Sequence, residues 1–270
     1  MTRLSVVTFK WRATPFSRKK FAAWHVNRLA AMFRRHLRAP HDFVCVTDDP
    51  EGLDDQVRAV PLWPDHAEVP NPHGPREPAC YRRLKLFSAE AAELVGERVL
   101  AIDLDMVLTG DITPLVERPE PVVLLTTTAA RIPVNGSLVL VTPGAAGEVW
   151  TSFDPETSPR IARSAGCHGS DQGWMAWHLL HGSLRGRAGT WTPGPGADGI
   201  MFYGEHLMRG DASRKLPPGT RLVSFHGRGL PWGQCEQLLP WVRSFYGPAD
   251  GTSVPEAWRD HEREQAGPAD

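Results

Sequence analysis

Short apolar runs alternate with stretches of helical periodicity along most of the chain. The run 4–9 predicts a first strand. Residues 17–37 predict a helix, because Phe21, Trp24, Leu29, Met32, Phe33 and Leu37 fall on one side and Lys and Arg on the other. Runs 43–47 and 57–62 predict two further strands. The first of these is closed by Asp48-Asp49-Pro50, which with Gly52 reads as a plain turn. The Pro-rich residues 63–78 lack period and predict a loop, 79–94 a helix and 99–108 a strong strand. Strands at 122–127 and 138–141, a helix at 171–181 and a late strand at 222–225 follow. Residues 182–219 are rich in Gly and Pro with little period. Strands alternating with helices predict an α/β fold with a Rossmann-like, mostly parallel central sheet and helices on both faces. In such folds ligands bind beyond the carboxyl ends of the strands.

A length of 270 residues fits one large α/β domain, expected over 1–247, with a polar C-terminal tail over 248–270. The formal net charge of -1 excludes the global basic field that drives sequence-independent nucleic-acid binding, so an anionic ligand needs a local site. Cys45, Cys80, Cys167 and Cys235 lie far apart with no CxxC or CxH spacing, which argues against a structural zinc site or a disulfide framework. The N-terminus lacks the apolar content of a signal peptide, and no run approaches the roughly 18 apolar residues of a membrane span. A cytoplasmic setting is expected, with peripheral membrane contact left open.

The chemistry concentrates in Arg98-Val99-Leu100-Ala101-Ile102-Asp103-Leu104-Asp105-Met106-Val107-Leu108. Strand alternation puts Asp103 and Asp105 on one face and Ile102 and Leu104 on the other. Two carboxylates sharing a face at the end of a buried strand repel each other, and a divalent cation with oxygen ligands offsets that repulsion. Such a cation can also bridge a diphosphate leaving group. The same text fits the opening motif of haloacid-dehalogenase-type phosphatases, with Asp103 as nucleophile and Asp105 as acid/base. That motif normally opens its domain, whereas about a hundred residues precede it here, and no later acidic pair is evident.

Three downstream segments agree with a transferase. They are Val134-Asn135-Gly136-Ser137, read as a polar turn feeding a strand; Gly169-Ser170-Asp171-Gln172, read as a polar turn opening a helix with Ser170 or Asp171 as N-cap; and Phe225-His226-Gly227-Arg228-Gly229-Leu230-Pro231-Trp232, read as a strand end entering a Gly-rich turn. In this order, with the Asp-Leu-Asp strand, they resemble glycosyltransferase family 8, the group of retaining enzymes that includes glycogenin, from about Leu4 to Trp232.

The resemblance implies a GT-A fold, a UDP-sugar donor, a carbohydrate or other hydroxyl acceptor, and Mn2+ (or Mg2+). Asp103, Asp105 and His226 are then the expected metal ligands. Thr8, Arg83, Lys85, Asp103, Gly227 and Arg228 are the expected donor-binding residues. Gln172, Asp171 and Asn135 are expected around the anomeric carbon, with Gln172 stabilising an oxocarbenium-like transition state or, as the second alternative, attacking it. The family's late motif usually reads His-x-x-Gly-x-x-Lys-Pro-Trp; here it is one residue shorter and has no Lys, which makes Arg228 the candidate replacement at the diphosphate.

Ten tryptophans suggest sugar-stacking surfaces, although Trp24, Trp174 and Trp177 fall in helix patterns and read as packing. Trp191, in the Gly/Pro-rich stretch, is the expected acceptor-site ring. A non-catalytic nucleotide-sugar-binding module remains a third reading, distinguished from the transferase by binding without turnover.

Overall fold

The computed structural model describes residues 3–12, 20–72, 74, 80–196, 198–208, 215–225, 231 and 240–246. Strands β1 (Leu4–Lys10), β2 (His41–Thr47), β3 (Val57–Pro61) and β4 (Arg98–Ile102) lie parallel in one half of a seven-stranded sheet. Its order is β3-β2-β1-β4-β7-β6-β8, where β6 is Val122–Thr126, β7 Val134–Val141 and β8 Gly189–Trp191. Only β7 is reversed among these strands, pairing antiparallel with both β4 and β6, while β8 returns parallel to β6. The α/β class, and the mostly parallel sheet, hold. A second, three-stranded sheet joins β5 (Met106–Leu108), β10 (Leu222–Ser224) and β9 (Ile200–Phe202).

Each face of the large sheet carries its own core. Leu4 and Val6 pack with Val26, Leu29, Met32 and Phe33 of helix α1 (Ala23–His36). Val7 on the opposite face packs with Tyr81, Leu84 and Phe87, and with Trp174, Met175 and Ala176 of the helix Asp171–Leu180. Both faces of β1 are thus covered, which is why it reads as a continuous apolar run. The described helices include none long and apolar enough to cross a membrane.

Five expectations are corrected. The helix expected over 79–94 is a 3-10 helix, Cys80–Phe87, followed by a short α-helix, Ala91–Val95. The buried Tyr81, Leu84 and Phe87 recur every third residue, the repeat of a 3-10 helix rather than of an α-helix. The strand expected over 99–108 is two strands in two sheets, broken at Asp103-Leu104-Asp105. Residues 134–137 belong to β7, whose register against β6 shifts between Leu124 and Leu125 in a bulge. The stretch 182–219 contains β8, β9 and a π-helix, Tyr203–Leu207. Asp48-Asp49 is more than a turn, because Lys10, with its side chain 1% exposed, donates to the Asp49 carbonyl at 2.6 Å and to its Oδ2 at 2.7 Å. We number the remaining helices α2 (Ala91–Val95), α3 (Thr113–Val116), α4 (Glu148–Thr151), α5 (Ser158–Ser164), α6 (Asp171–Leu180) and α7 (Pro240–Tyr246).

Candidate functional site

Strand β4 ends where its backbone changes partner. The Asp103 N–H donates to the Ser137 carbonyl of β7 at 3.0 Å, the chain turns, and Met106 starts β5 in the second sheet. Leu104 is buried in the α1-side core and pins the turn. The Asp105 carbonyl accepts from Phe225 N–H at 3.0 Å, which ties the turn to the end of β10. The Asp-Leu-Asp segment therefore bridges the seam between the two sheets, at the carboxyl end of a parallel strand. Its carboxylates are unequally placed: the Asp103 side chain is 39% exposed, whereas Asp105 is 5% exposed.

Arg83 of the 3-10 helix joins this turn to α6. Its Nη1 donates to Asp103 Oδ1 at 2.6 Å, its Nε donates to Asp171 Oδ2 at 2.8 Å, and Nη2 lies 2.7 Å from the same oxygen. Burial alone would lower the pKa of this guanidinium, but the carboxylates of Asp171 and Asp103 outweigh burial and raise it, so it is held charged. Asp171, 1% exposed at the first residue of α6, also accepts from Ser170 Oγ at 2.9 Å. Both of its oxygens are engaged within the protein.

Gln172 flanks this cluster, and Asn135 precedes Gly136 on β7. Gln172 Oε1 accepts from the Gly136 N–H at 3.3 Å. Its side chain folds over Gly169, where a Cβ would come within 2.6 Å of Gln172 Cγ and where φ is +114°, a backbone conformation that favours glycine. Asn135 Oδ1 accepts from Ser137 N–H at 2.9 Å and from its Oγ at 2.5 Å, and Asn135 is buried. Phe9, Phe87, Ala101 and Val139 line the cleft beside Arg83, Asp103 and Gly136.

Three expected residues lie elsewhere. Thr8 is fully buried and shares the face of Leu4 and Val6 on the α1 side of the sheet, away from Arg83, and among the described residues its Oγ1 has no hydrogen-bond partner. Lys85 is committed to Asp65 Oδ2 at 2.9 Å and Glu90 Oε2 at 3.1 Å, holding the 3-10 helix to the 63–69 loop and the start of α2. Trp191 is fully buried in the core on the α1 side and presents no face to a sugar. His226, Gly227 and Arg228 lie outside the described residues. The sequence reading missed Lys10 and its Asp49 partner at the carboxyl ends of β1 and β2; the signal was a cation closing an otherwise apolar strand.

Cys80 cannot act as a nucleophile at neutral pH, because burial raises its thiol pKa to about 12. The described residues contain no cluster of three His, Cys, Asp or Glu able to hold a metal ion. The donor set still suits a hard cation. Asp103 and Asp105 offer carboxylate oxygens at the carboxyl end of β4, the ligand type that a hard divalent ion takes.

No protein-family model matches the chain, and no curated protein matches it by sequence. Solved structures do. The galactosyltransferase LgtC, in complex with donor and acceptor sugar analogs, is 14% identical with a TM-score of 0.57, over 95% of this chain and 99% of that one. The apo form of the glycosyltransferase GlyE of Streptococcus pneumoniae TIGR4 is 13% identical with a TM-score of 0.54, over 98% of this chain. The overlap takes in 60% of the GlyE chain. At these identities the likeness concerns the fold, which is the GT-A fold expected from the sequence.

Proposed function

We propose that the protein is a metal-dependent glycosyltransferase that moves a sugar from a nucleotide-diphosphate sugar, specifically a UDP-sugar, to a hydroxyl of a carbohydrate or other acceptor, with retention at the anomeric carbon. The observation that carries this reading is the convergence of Asp103, Asp171, Gln172 and Arg83 at the carboxyl end of β4, in a fold shared with glycosyltransferases. Asp103 and Asp105, with His226, would hold Mn2+ or Mg2+. Support for His226 comes from its chain neighbour Phe225, whose N–H sits on the Asp105 carbonyl. Such an ion, when bound, neutralises charge on the departing diphosphate.

The chain's own residues divide the remaining work. A guanidinium has five N–H donors, and the two carboxylates take at most three, so Arg83 keeps donors for the sugar hydroxyls and phosphate oxygens. In this reading the Asn135 amide would donate to a sugar hydroxyl. Gln172 lies at the N-terminus of α6 beside Gly136, where its amide oxygen can stabilise positive charge developing on the anomeric carbon. Asp171, with both oxygens engaged, acts through Arg83.

The architecture favours this reading over the phosphatase. A phosphatase nucleophile must be free to attack phosphorus, whereas Asp103 Oδ1 is held by Arg83 at 2.6 Å. The test is a donor screen with manganese present, following release of free nucleotide diphosphate. Turnover of a UDP-sugar supports the proposal. Release of inorganic phosphate from simple phosphomonoesters with magnesium alone would replace it with the phosphatase, and UDP binding without turnover would leave a binding module.

A further inference from the structure

Gly136 lies in the interior of β7 and is absent from the positive-φ positions of the described chain, so its backbone conformation does not require glycine. Glycine inside a strand weakens it, and such a residue usually marks a close approach by another group. Here that group is Arg83. A Cβ built on Gly136 would stand 2.9 Å from Arg83 Nη2, 3.3 Å from Gln172 Cβ and 3.4 Å from Met175 Cε. The β7 bulge contributes. Val134 and Val139 both face the core on the α6 side although five positions separate them, and Gly136 and Val139 both line the cleft. The shift leaves Gly136, Ser137 and Leu138 without a partner on β6, and this irregularity re-aims the strand at the site.

Resting on the reading above, we propose that Gly136 is a positioning residue: the space left by its missing side chain lets the Arg83 guanidinium reach Asp103 and Asp171 together and present its remaining donors to the donor sugar and diphosphate. Arg83 has little room to yield. Asp171 is fixed on α6 with its second oxygen on Ser170, and Asp103 is fixed to β7 through the Ser137 carbonyl. A methyl at position 136 displaces Nη2 by several tenths of an ångström, and the planar fork then loses one of its two carboxylates. Gln172, 3.3 Å from the same Cβ position, shifts with it.

The test is a double-mutant cycle of Gly136→Ala with Arg83→Lys, read by calorimetry of UDP with manganese and, in parallel, by urea unfolding without any ligand. Lysine has no Nη2 for the new methyl to meet. Gly136→Ala should weaken binding of UDP with manganese about tenfold or more with Arg83 present and less than about twofold in the Arg83→Lys background. A glycine needed only for the strand would cost the same factor in both backgrounds, and that result overturns the proposal, as does an unchanged affinity in the single variant. If Gly136→Ala does not fold, recovery of folding on adding Arg83→Lys supports the proposal and failure to recover overturns it. Failure of the wild type to bind any nucleotide sugar would sink the transferase reading instead, and the unfolding cycle would still decide whether Gly136 positions Arg83.

Discussion

Replacing Arg83 with Met removes the cation from between two carboxylates of very different exposure, and the difference sets the expected cost. Asp103 is 39% exposed and can hydrate once its partner is gone, so its contact contributes about 0–1 kcal/mol. Asp171 is 1% exposed and keeps Ser170 Oγ at 2.9 Å as its other partner, so it is left as a buried charge without compensation. Breaking a buried ion pair from one side costs about 3–5 kcal/mol. At about 2–4 °C per kcal/mol for a chain of this size class, Tm should fall by roughly 6–20 °C. The loss comes from the stranded carboxylate, so the double variant Arg83→Met/Asp171→Leu should recover most of it, since apolar replacement of a buried pair is often neutral or stabilising. Urea unfolding followed by the fluorescence of the ten tryptophans and by circular dichroism gives both numbers. A single-variant loss below about 1 kcal/mol, or a double variant no more stable than the single one, would show that Arg83 does not neutralise Asp171 in the way the geometry implies.

Asp105→Asn keeps the shape of the turn and should lower manganese-dependent UDP affinity by at least about tenfold, the loss of one charged ligand contact; calorimetry that finds the affinity unchanged removes Asp105 from the ligand set. Burial lowers the His178 pKa to about 4, with Nδ1 within 2.9 Å of Ser183 Oγ. The unfolded chain takes up this proton near pH 6.5 and the folded chain does not until about pH 4, so the contribution is complete above pH 6.5 and is lost as pH falls towards 4, by up to about 3 kcal/mol. His178→Gln should flatten the fall in unfolding free energy across that window, and an identical slope in the variant would refute the assignment. Trp191→Ala should destabilise the fold by about 3–5 kcal/mol, as for a large aromatic core residue; a variant of wild-type stability with an altered acceptor KM would instead restore the sugar-stacking role.

Much of the sheet is legible because buried parallel strands have no alternative pattern. The apolar runs that become β1, β2 and β6 are covered on both faces, and helix α1 shows its apolar stripe at a spacing of three and four. The break at Asp103 is illegible for a related reason. Hydrophobicity on both sides of the Asp-Leu-Asp is satisfied equally by one long strand or by two strands in two sheets, because Ile102, Leu104 and Met106 are buried either way. What separates the alternatives is the pairing of Asp103 N–H with Ser137 and of β5 with β10, a contact more than a hundred residues distant in the chain. Asn135-Gly136-Ser137 has turn composition, yet Asn135 pairs with Leu125 of β6 and the Ser137 carbonyl accepts from Asp103 N–H, and these tertiary contacts hold the segment extended. The short β8 and β9 carry too few residues for a period to register.

The residues around the site were legible by type and less so by direction, and the 3-10 helix shows why. Tyr81-Arg82-Arg83-Leu84-Lys85-Leu86 offers three cations in six residues, and an α-helical reading leaves two of them, Arg83 and Lys85, as donor-binding candidates. At three residues per turn, side chains three apart eclipse one another. Arg82 and Lys85 then share a side, and both are drawn to the 63–69 loop, Arg82 to the Trp63 carbonyl at 2.9 and 2.6 Å and Lys85 to Asp65. Arg83 and Leu86 share another side, the one that lines the cleft with Asp103 and Asp171. A change of pitch by 0.6 residue per turn decides which cation reaches the carboxylates. Arg83 is selected over its two neighbours because they are taken by the 63–69 loop while it meets Asp103 and Asp171.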